Sequence, residues 1–214
     1  MTTNITELVF ILDRSGSMGG LEKDTIGGFN AMLDKQKQEK GQARVTTALF
    51  DNSYELLHDR LDLQAVMPIT DQDYYVRGST ALLDAIARSV MKVDSVMKAT
   101  TEQFRPDKVL FVIITDGMEN ASHRFTAQQV QALVNARREM GWEFIFLGAN
   151  MDAIAVARDY GINPSMAQTY HNDAKGVNMN FQAVHEAARS FRKSGKVNKD
   201  WSESIRKREE EGKR

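Results

Sequence analysis

Residues Leu8-Val9-Phe10-Ile11-Leu12-Asp13-Arg14-Ser15-Gly16-Ser17-Met18-Gly19-Gly20 run five apolar side chains directly into an acid, two serines and three glycines. An unbroken apolar run bounded by turn residues predicts a strand buried on both faces, as in parallel sheets. A strand that ends inside such a sheet delivers the next residues to the crevice at its carboxyl edge. Asp13, Ser15 and Ser17 therefore arrive there together, and their alternate spacing lets three oxygen donors point to one side. Hard oxygen donors gathered in this way suit Mg²⁺ or Ca²⁺. The same residues also fit a capped helix start, with Ser15 or Ser17 as the cap and the glycines as turns. This segment alone does not separate the two readings.

Working outward, apolar runs at 109–114 and 144–147 repeat the buried-strand pattern, and helical patterns fill 21–38, 81–99 and 126–140. The last opens with a capping box, Thr126 facing Gln129, and closes at Gly141. Strands alternating with helices of this size predict an α/β fold: a three-layer, mostly parallel six-stranded sheet with helices on both faces. Segments 45–50 and 54–57 break the alternation. Only Asp51-Asn52-Ser53 separates them, too short for a parallel crossover, so they predict a hairpin and one antiparallel edge strand. Asp152 caps a helix to Arg158, 166–170 reads as a last edge strand, and 174–193 is an amphipathic helix carrying Phe181, Val184, Ala188 and Phe191 on one stripe.

A chain of 214 residues suffices for one sizeable core. We expect one domain over 1–194, followed by a charged tail over 195–214, helical or disordered, with Trp201 and Ile205 as its only apolar anchors. A formal net charge of -1 gives no reason to expect nucleic acid. The absence of cysteine excludes disulfides and thiolate chemistry. Residues 1–7 lack the basic start of a signal peptide, and no apolar stretch approaches the roughly 20 residues that span a bilayer. These features lead us to expect a soluble, cytoplasmic protein with no membrane partner.

Two further segments bear on the opening loop. Ile113-Ile114-Thr115-Asp116-Gly117 again runs a buried strand into an acid and a glycine. Neighbouring strands lie about 4.8 Å apart. If these two are adjacent, Asp13 and Asp116 share a region whose charge calls for a cation. Arg77-Gly78-Ser79-Thr80 is a glycine turn leading into a helix, where Thr80 is either a site hydroxyl or an ordinary cap and Asp84 an exposed first-turn acid.

Asp13-x-Ser15-x-Ser17, the single Thr80, and Thr115-Asp116-Gly117 together resemble the metal-ion-dependent adhesion site (MIDAS) of von Willebrand factor A (VWA) domains, with all five positions filled in order. The resemblance covers about residues 5–190. Gly27-Gly28 and Leu147-Gly148-Ala149-Asn150 look like the small intracellular bacterial or phage members. It implies that Ser15 and Ser17 bind the metal through their hydroxyls, that Thr80 binds directly or through water, and that Asp13 and Asp116 act mainly through water and hydrogen bonds. It implies Mg²⁺, with Mn²⁺ or Ca²⁺ as substitutes. Neutral oxygens leave most of the cation's charge unquenched, so its open position takes an anionic oxygen. In the family that oxygen comes from an Asp or Glu of a partner protein, and intracellular relatives often work beside AAA+ ATPases.

On this reading Arg14, Met18 and Arg77 surround the open position, Glu119 and Asn120 tune the rim, and His123 reaches a bound partner. Asp51, at the end of the second strand, reads as a turn acid, with an outer-shell neighbour of the site as the alternative. The other histidines, His58, His171 and His185, show no metal spacing. An EF-hand would place Met18 at its glycine position and Asp24 at its glutamate, after a strand where a helix belongs. A P-loop lacks its Gly-Lys-Ser/Thr, and a nucleophile elbow has Ser15 where a glycine is needed before Ser17. The expectation is therefore a non-enzymatic, metal-dependent protein-binding module. The alternative is a metal-dependent hydrolase of the phosphatase or nuclease type, with only His123, Glu119 or Asp51 as candidate bases.

Overall fold

The computed structural model describes residues 4–212. Six strands, β1 (Ile5–Asp13), β2 (Gln42–Phe50), β3 (Tyr54–Asp62), β4 (Lys108–Thr115), β5 (Glu143–Ala149) and β6 (Ala167–Tyr170), form one sheet. Its order is β3-β2-β1-β4-β5-β6. All pairs are parallel except β2 with β3, the hairpin that the Asp51-Asn52-Ser53 link dictates. The connections reverse direction between β1 and β4, the switch point at which open α/β sheets leave a crevice.

Side chains alternate across the central strands. Leu8, Phe10 and Leu12, with Leu110, Val112 and Ile114, face one layer of helices: α1 (Glu22–Lys37), α5 (Ala174–Ser194) and α6 (Glu203–Gly212). Val9 and Ile11, with Phe111 and Ile113, face the other: α2 (Leu82–Ala99), α3 (Ala127–Arg138) and α4 (Ala153–Asp159). The first layer closes tightly because Gly28 has no side chain. The Phe181 ring occupies the space a Cβ would take, and packs edge-on to Phe29. Two faces of buried aliphatic and aromatic side chains pin β1 and β4 and fix where each ends. No helix is long and apolar enough to cross a membrane among the described residues.

Two segments differ from the sequence reading. β3 continues to Asp62 because an edge strand tolerates the polar run His58-Asp59-Arg60, and its pairing with β2 is irregular around Thr47. Arg60 adopts a left-handed φ of 53° there and reaches the fully buried Glu7 at 2.9 Å. Residues 195–212 fold against the body. Val197, Trp201 and Ile205 are buried in the core of the α1–α5 layer, and the Trp201 indole donates to the Ser165 carbonyl at 3.1 Å. The charges of α6 point outward or tie down the chain before α5, which is why the composition reads as a tail. Residues 1–3 of the N-terminal stretch and 213–214 of the expected tail lie outside the described residues.

Candidate functional site

β1 and β4 end side by side. The Thr115 hydroxyl, at the end of β4, donates to Asp13 Oδ2 at 2.5 Å, and the Ser15 backbone N–H donates to Oδ1 at 2.7 Å. Asp13, Ser15, Thr80 and Asp116 are all buried, whereas Ser17 is exposed. Their side chains form a continuous chain: Thr80 Oγ1 to Ser15 Oγ at 3.0 Å, Ser15 Oγ to Ser17 Oγ at 3.1 Å, and Ser17 Oγ to Asp116 Oδ1 at 2.5 Å. Three segments far apart in sequence thus place three hydroxyls and two carboxylates in one patch, open to solvent at Ser17.

The capped-helix reading does not hold. Ser15 makes no side-chain capping bond, and the residues in the capping positions of α1 and α2 are Leu21 and Ala81, which make none. Thr80 instead turns its hydroxyl to Ser15. Its backbone is held from both sides: its N–H donates to the Asn120 side chain at 2.9 Å, and its carbonyl accepts from the N–H groups of Asn120 and Ala121. Gly78, at φ 66°, lets the loop pass over Gly16, whose N–H it binds through its carbonyl at 3.1 Å.

The rim differs from expectation. Arg14 and Met18 do not surround an opening: both are buried, at 0% and 1% exposure. Arg14 packs beneath the loop, its Nε 3.0 Å and its Nη2 2.8 Å from the carboxylates of Asp51 and Glu55. Asp51 is more than a turn acid, since it also takes Arg77 Nε at 2.7 Å and the Ser53 N–H at 2.6 Å. Burial opposes its ionisation, but hydrogen bonds from Arg77, Ser53 and Arg14 outweigh it and hold the carboxyl below its ordinary value. Glu119 folds its own loop: Oε1 accepts from the N–H groups of Ala121 and Ser122, and Oε2 from the Leu83 N–H and the Ser122 hydroxyl. Asp84 fixes the same loop, accepting from the N–H groups of His123, Arg124 and Phe125. Of the rim residues named from the sequence, Arg77, about half exposed, Asn120 and His123 reach solvent. Met118, 57% exposed and next to Gly117, joins them.

Three residues at the site carry no motif. Tyr74 donates its hydroxyl to the Asp13 carbonyl at 2.5 Å, and Tyr170 donates to the Thr115 carbonyl at 3.4 Å, so two buried phenols hold the ends of β1 and β4 from below. Asn172, two residues after β6, donates Nδ2 to Asp116 Oδ2 at 2.8 Å, while its Oδ1 is buried without a hydrogen-bond partner among the described residues. A lone Tyr or Asn has no spacing signal; only the chain path brings these three to the strand ends.

The donor set fits a hard divalent cation. Burial pushes the Asp13 carboxyl up to about 6 despite hydrogen bonds from Thr115 and Ser15, and the neighbouring charge of Asp116 adds to the rise. Burial also raises Asp116, against hydrogen bonds from Ser17 and Asn172. Two acids with elevated values beside three hydroxyls make a place where positive charge is stabilised. Gly117 leaves the space in front of Thr80 and Ser17 that a Cβ would fill. Among the described residues no group of three or more His, Cys, Asp or Glu is arranged around a metal, so any cation here rests on hydroxyls as much as on acids.

No family model and no curated protein matches the sequence. Solved structures match the fold. Proximal thread matrix protein 1 from the mussel byssus aligns over 85% of this chain and 45% of its own, with a TM-score of 0.59 at 12% identity. The same mussel protein has been solved with a zinc-occupied MIDAS motif. Manganese-loaded TRAP protein of Plasmodium vivax aligns over 85% of this chain and 74% of its own, with a TM-score of 0.59 at 17% identity. A von Willebrand factor type A protein from Catenulispora acidiphila aligns over 86% of this chain and 42% of its own, with a TM-score of 0.55 at 13% identity. This chain therefore spans less than half the length of the mussel and Catenulispora proteins. At these identities the similarity establishes the fold: a Rossmann-like VWA architecture.

Proposed function

We propose that this chain is a metal-dependent protein-binding module. Ser15, Ser17 and Thr80 would hold a divalent cation, Mg²⁺ by preference, through their hydroxyls, with Asp13 and Asp116 behind them. A cation so bound supplies a coordination position for a carboxylate oxygen from an Asp or Glu of a partner protein. The observation that carries the reading is the unbroken run of oxygen atoms from Thr80 through Ser15 and Ser17 to Asp116, with Asp13 anchoring the Ser15 backbone. The metal-bearing neighbours of the same fold support it.

The chain's own residues do the positioning. Buried β1 and β4 set the two acids, Tyr74 and Tyr170 hold the strand ends, and the Glu119 and Asp84 hydrogen bonds fix the loop beside Thr80. Arg77 and Met118 stand at the rim where a protein ligand would arrive. Glu119 and Asp51 have both carboxylate oxygens engaged, so neither is set as a general base. The deciding experiment is capture of partner proteins from a lysate with Mg²⁺ and with EDTA, using wild type and Ser15→Ala. Capture that needs Mg²⁺ and is lost in Ser15→Ala supports the reading. Capture indifferent to EDTA, or phosphatase or nuclease turnover abolished by Asp116→Ala, overturns it.

A further inference from the structure

Of the two site carboxylates, only that of Asp116 accepts from outside the three motif segments, among the described residues. Its Oδ1 accepts from Ser17, and its Oδ2 accepts from Asn172 Nδ2 at 2.8 Å. Two donors on opposite oxygens fix the rotation of the carboxylate plane, which a single donor cannot do. The amide can only be oriented one way: with Nδ2 and Oδ1 exchanged, an oxygen would face an oxygen. Oδ1 then points away from Asp116, buried, with no partner among the described residues. A buried amide oxygen without a donor is costly and uncommon.

The loop bearing Asn172 is held on both sides of that residue. Asp173 caps α5 by accepting from the Gly176 N–H at 2.7 Å and pairs in a fork with Arg208 of α6, at 2.9 and 2.5 Å. His171 Nε2 lies 3.4 Å from Glu209 of the same helix. The C-terminal segment that composition marks as a solvated tail thus fixes the residues on either side of Asn172.

We infer that Asn172 is a sixth residue of the site, a positioning residue that sets the Asp116 carboxylate through its amide N–H. The inference rests on the metal reading above, and the test separates the two. Mn²⁺ alone is the probe, its free concentration followed by electron paramagnetic resonance in a titration of the full chain. Asn172→Ala and Asn172→Leu, the second keeping the volume, should each bind Mn²⁺ about 10- to 100-fold more weakly than wild type, the usual effect of removing a group that orients a ligand. Trp142→Phe, which loosens the opposite helix layer without touching Asp116 or the segment that holds Asn172, should keep wild-type affinity. Wild-type affinity in both Asn172 variants overturns this inference alone. An equal loss in Trp142→Phe overturns it too, by assigning the effect to general packing. A wild type that binds no Mn²⁺ removes the metal reading and this inference with it.

Discussion

Gly117 faces Thr80 so closely that a Cβ on residue 117 would stand 2.6 Å from Thr80 Oγ1 and 3.0 Å from Ser17 Oγ. No flexible side chain can yield, because both oxygens belong to the site and Thr80 is tied to Ser15 and Asn120. Gly117→Ala should therefore displace one hydroxyl and destabilise the fold by about 1–3 kcal/mol, as overpacking usually does. Urea denaturation and a Mn²⁺ titration check this. Affinity should fall at least as far as stability, and a variant with wild-type affinity contradicts the assigned crowding.

Arg14 and Asp51 form an ion pair in which neither side chain is more than 1% exposed. Removing Asp51 leaves the buried Arg14 with only the half-exposed Glu55 at 2.8 Å, at a cost of about 3 kcal/mol, the low end for a broken buried pair. Asp51→Ala should show a loss of that size in denaturant midpoint, although residue 51 touches none of the five site side chains. Arg77→Ala removes the half-exposed second cation of the same acid and should leave stability near wild type while altering ligand capture. If the two variants unfold alike, the loop is not supported as described.

Much of this molecule is legible in its sequence, for identifiable reasons. The runs before Asp13 and Asp116 read as buried strands because both faces of each strand are covered, so no polar alternation blurs them. The antiparallel pair follows from a three-residue link. The rim was misread because spacing gives proximity and not direction: Arg14 sits between Asp13 and Ser15, yet its side chain turns under the loop to Asp51 and Glu55. For 195–212 the sequence offers a helix or a disordered tail anchored by Trp201 and Ile205, and its docking into the core is not legible because two apolar anchors among many charges resemble a solvated segment. Asn172, Tyr74 and Tyr170 act through tertiary contacts that no local pattern encodes.

Glu7 lies on β1 with no exposed surface, 2.9 Å from Arg60 and 3.3 Å from the Thr46 hydroxyl. Burial raises its carboxyl above the ordinary 4.5, and the attraction and hydrogen bond of Arg60, with Thr46 and Arg44, offset only part of the rise. A carboxyl that binds its proton more tightly when folded contributes stability that is complete below the ordinary value and lost as pH rises through the folded value. The difference in unfolding free energy between wild type and Glu7→Gln should therefore shift in favour of wild type as pH falls from 7 to 4. Denaturant titrations at both pH values measure it, and the subtraction cancels other carboxyls such as Asp173, whose pairing with Arg208 lowers it to about 2. A difference that is flat or reversed contradicts the assignment.

Binding of a cation to the folded state alone stabilises it by mass action. At a free concentration a hundredfold above Kd the gain is about 2.7 kcal/mol, and for a domain of this size that corresponds to a rise in Tm of roughly 5–11 °C. Because the buried carboxyls of Asp13 and Asp116 share this patch, a cation also relieves charge that burial opposes. Wild type should therefore melt higher in saturating Mg²⁺ or Mn²⁺ than in EDTA, and the increment should vanish in Asp116→Asn and Ser15→Ala while persisting in Arg77→Ala, which lies at the rim. Calorimetric scans of the four proteins with and without metal provide the measurement. A wild-type Tm independent of metal, or an increment that survives Asp116→Asn, would show that Asp13, Ser15, Ser17, Thr80 and Asp116 do not hold a cation between them.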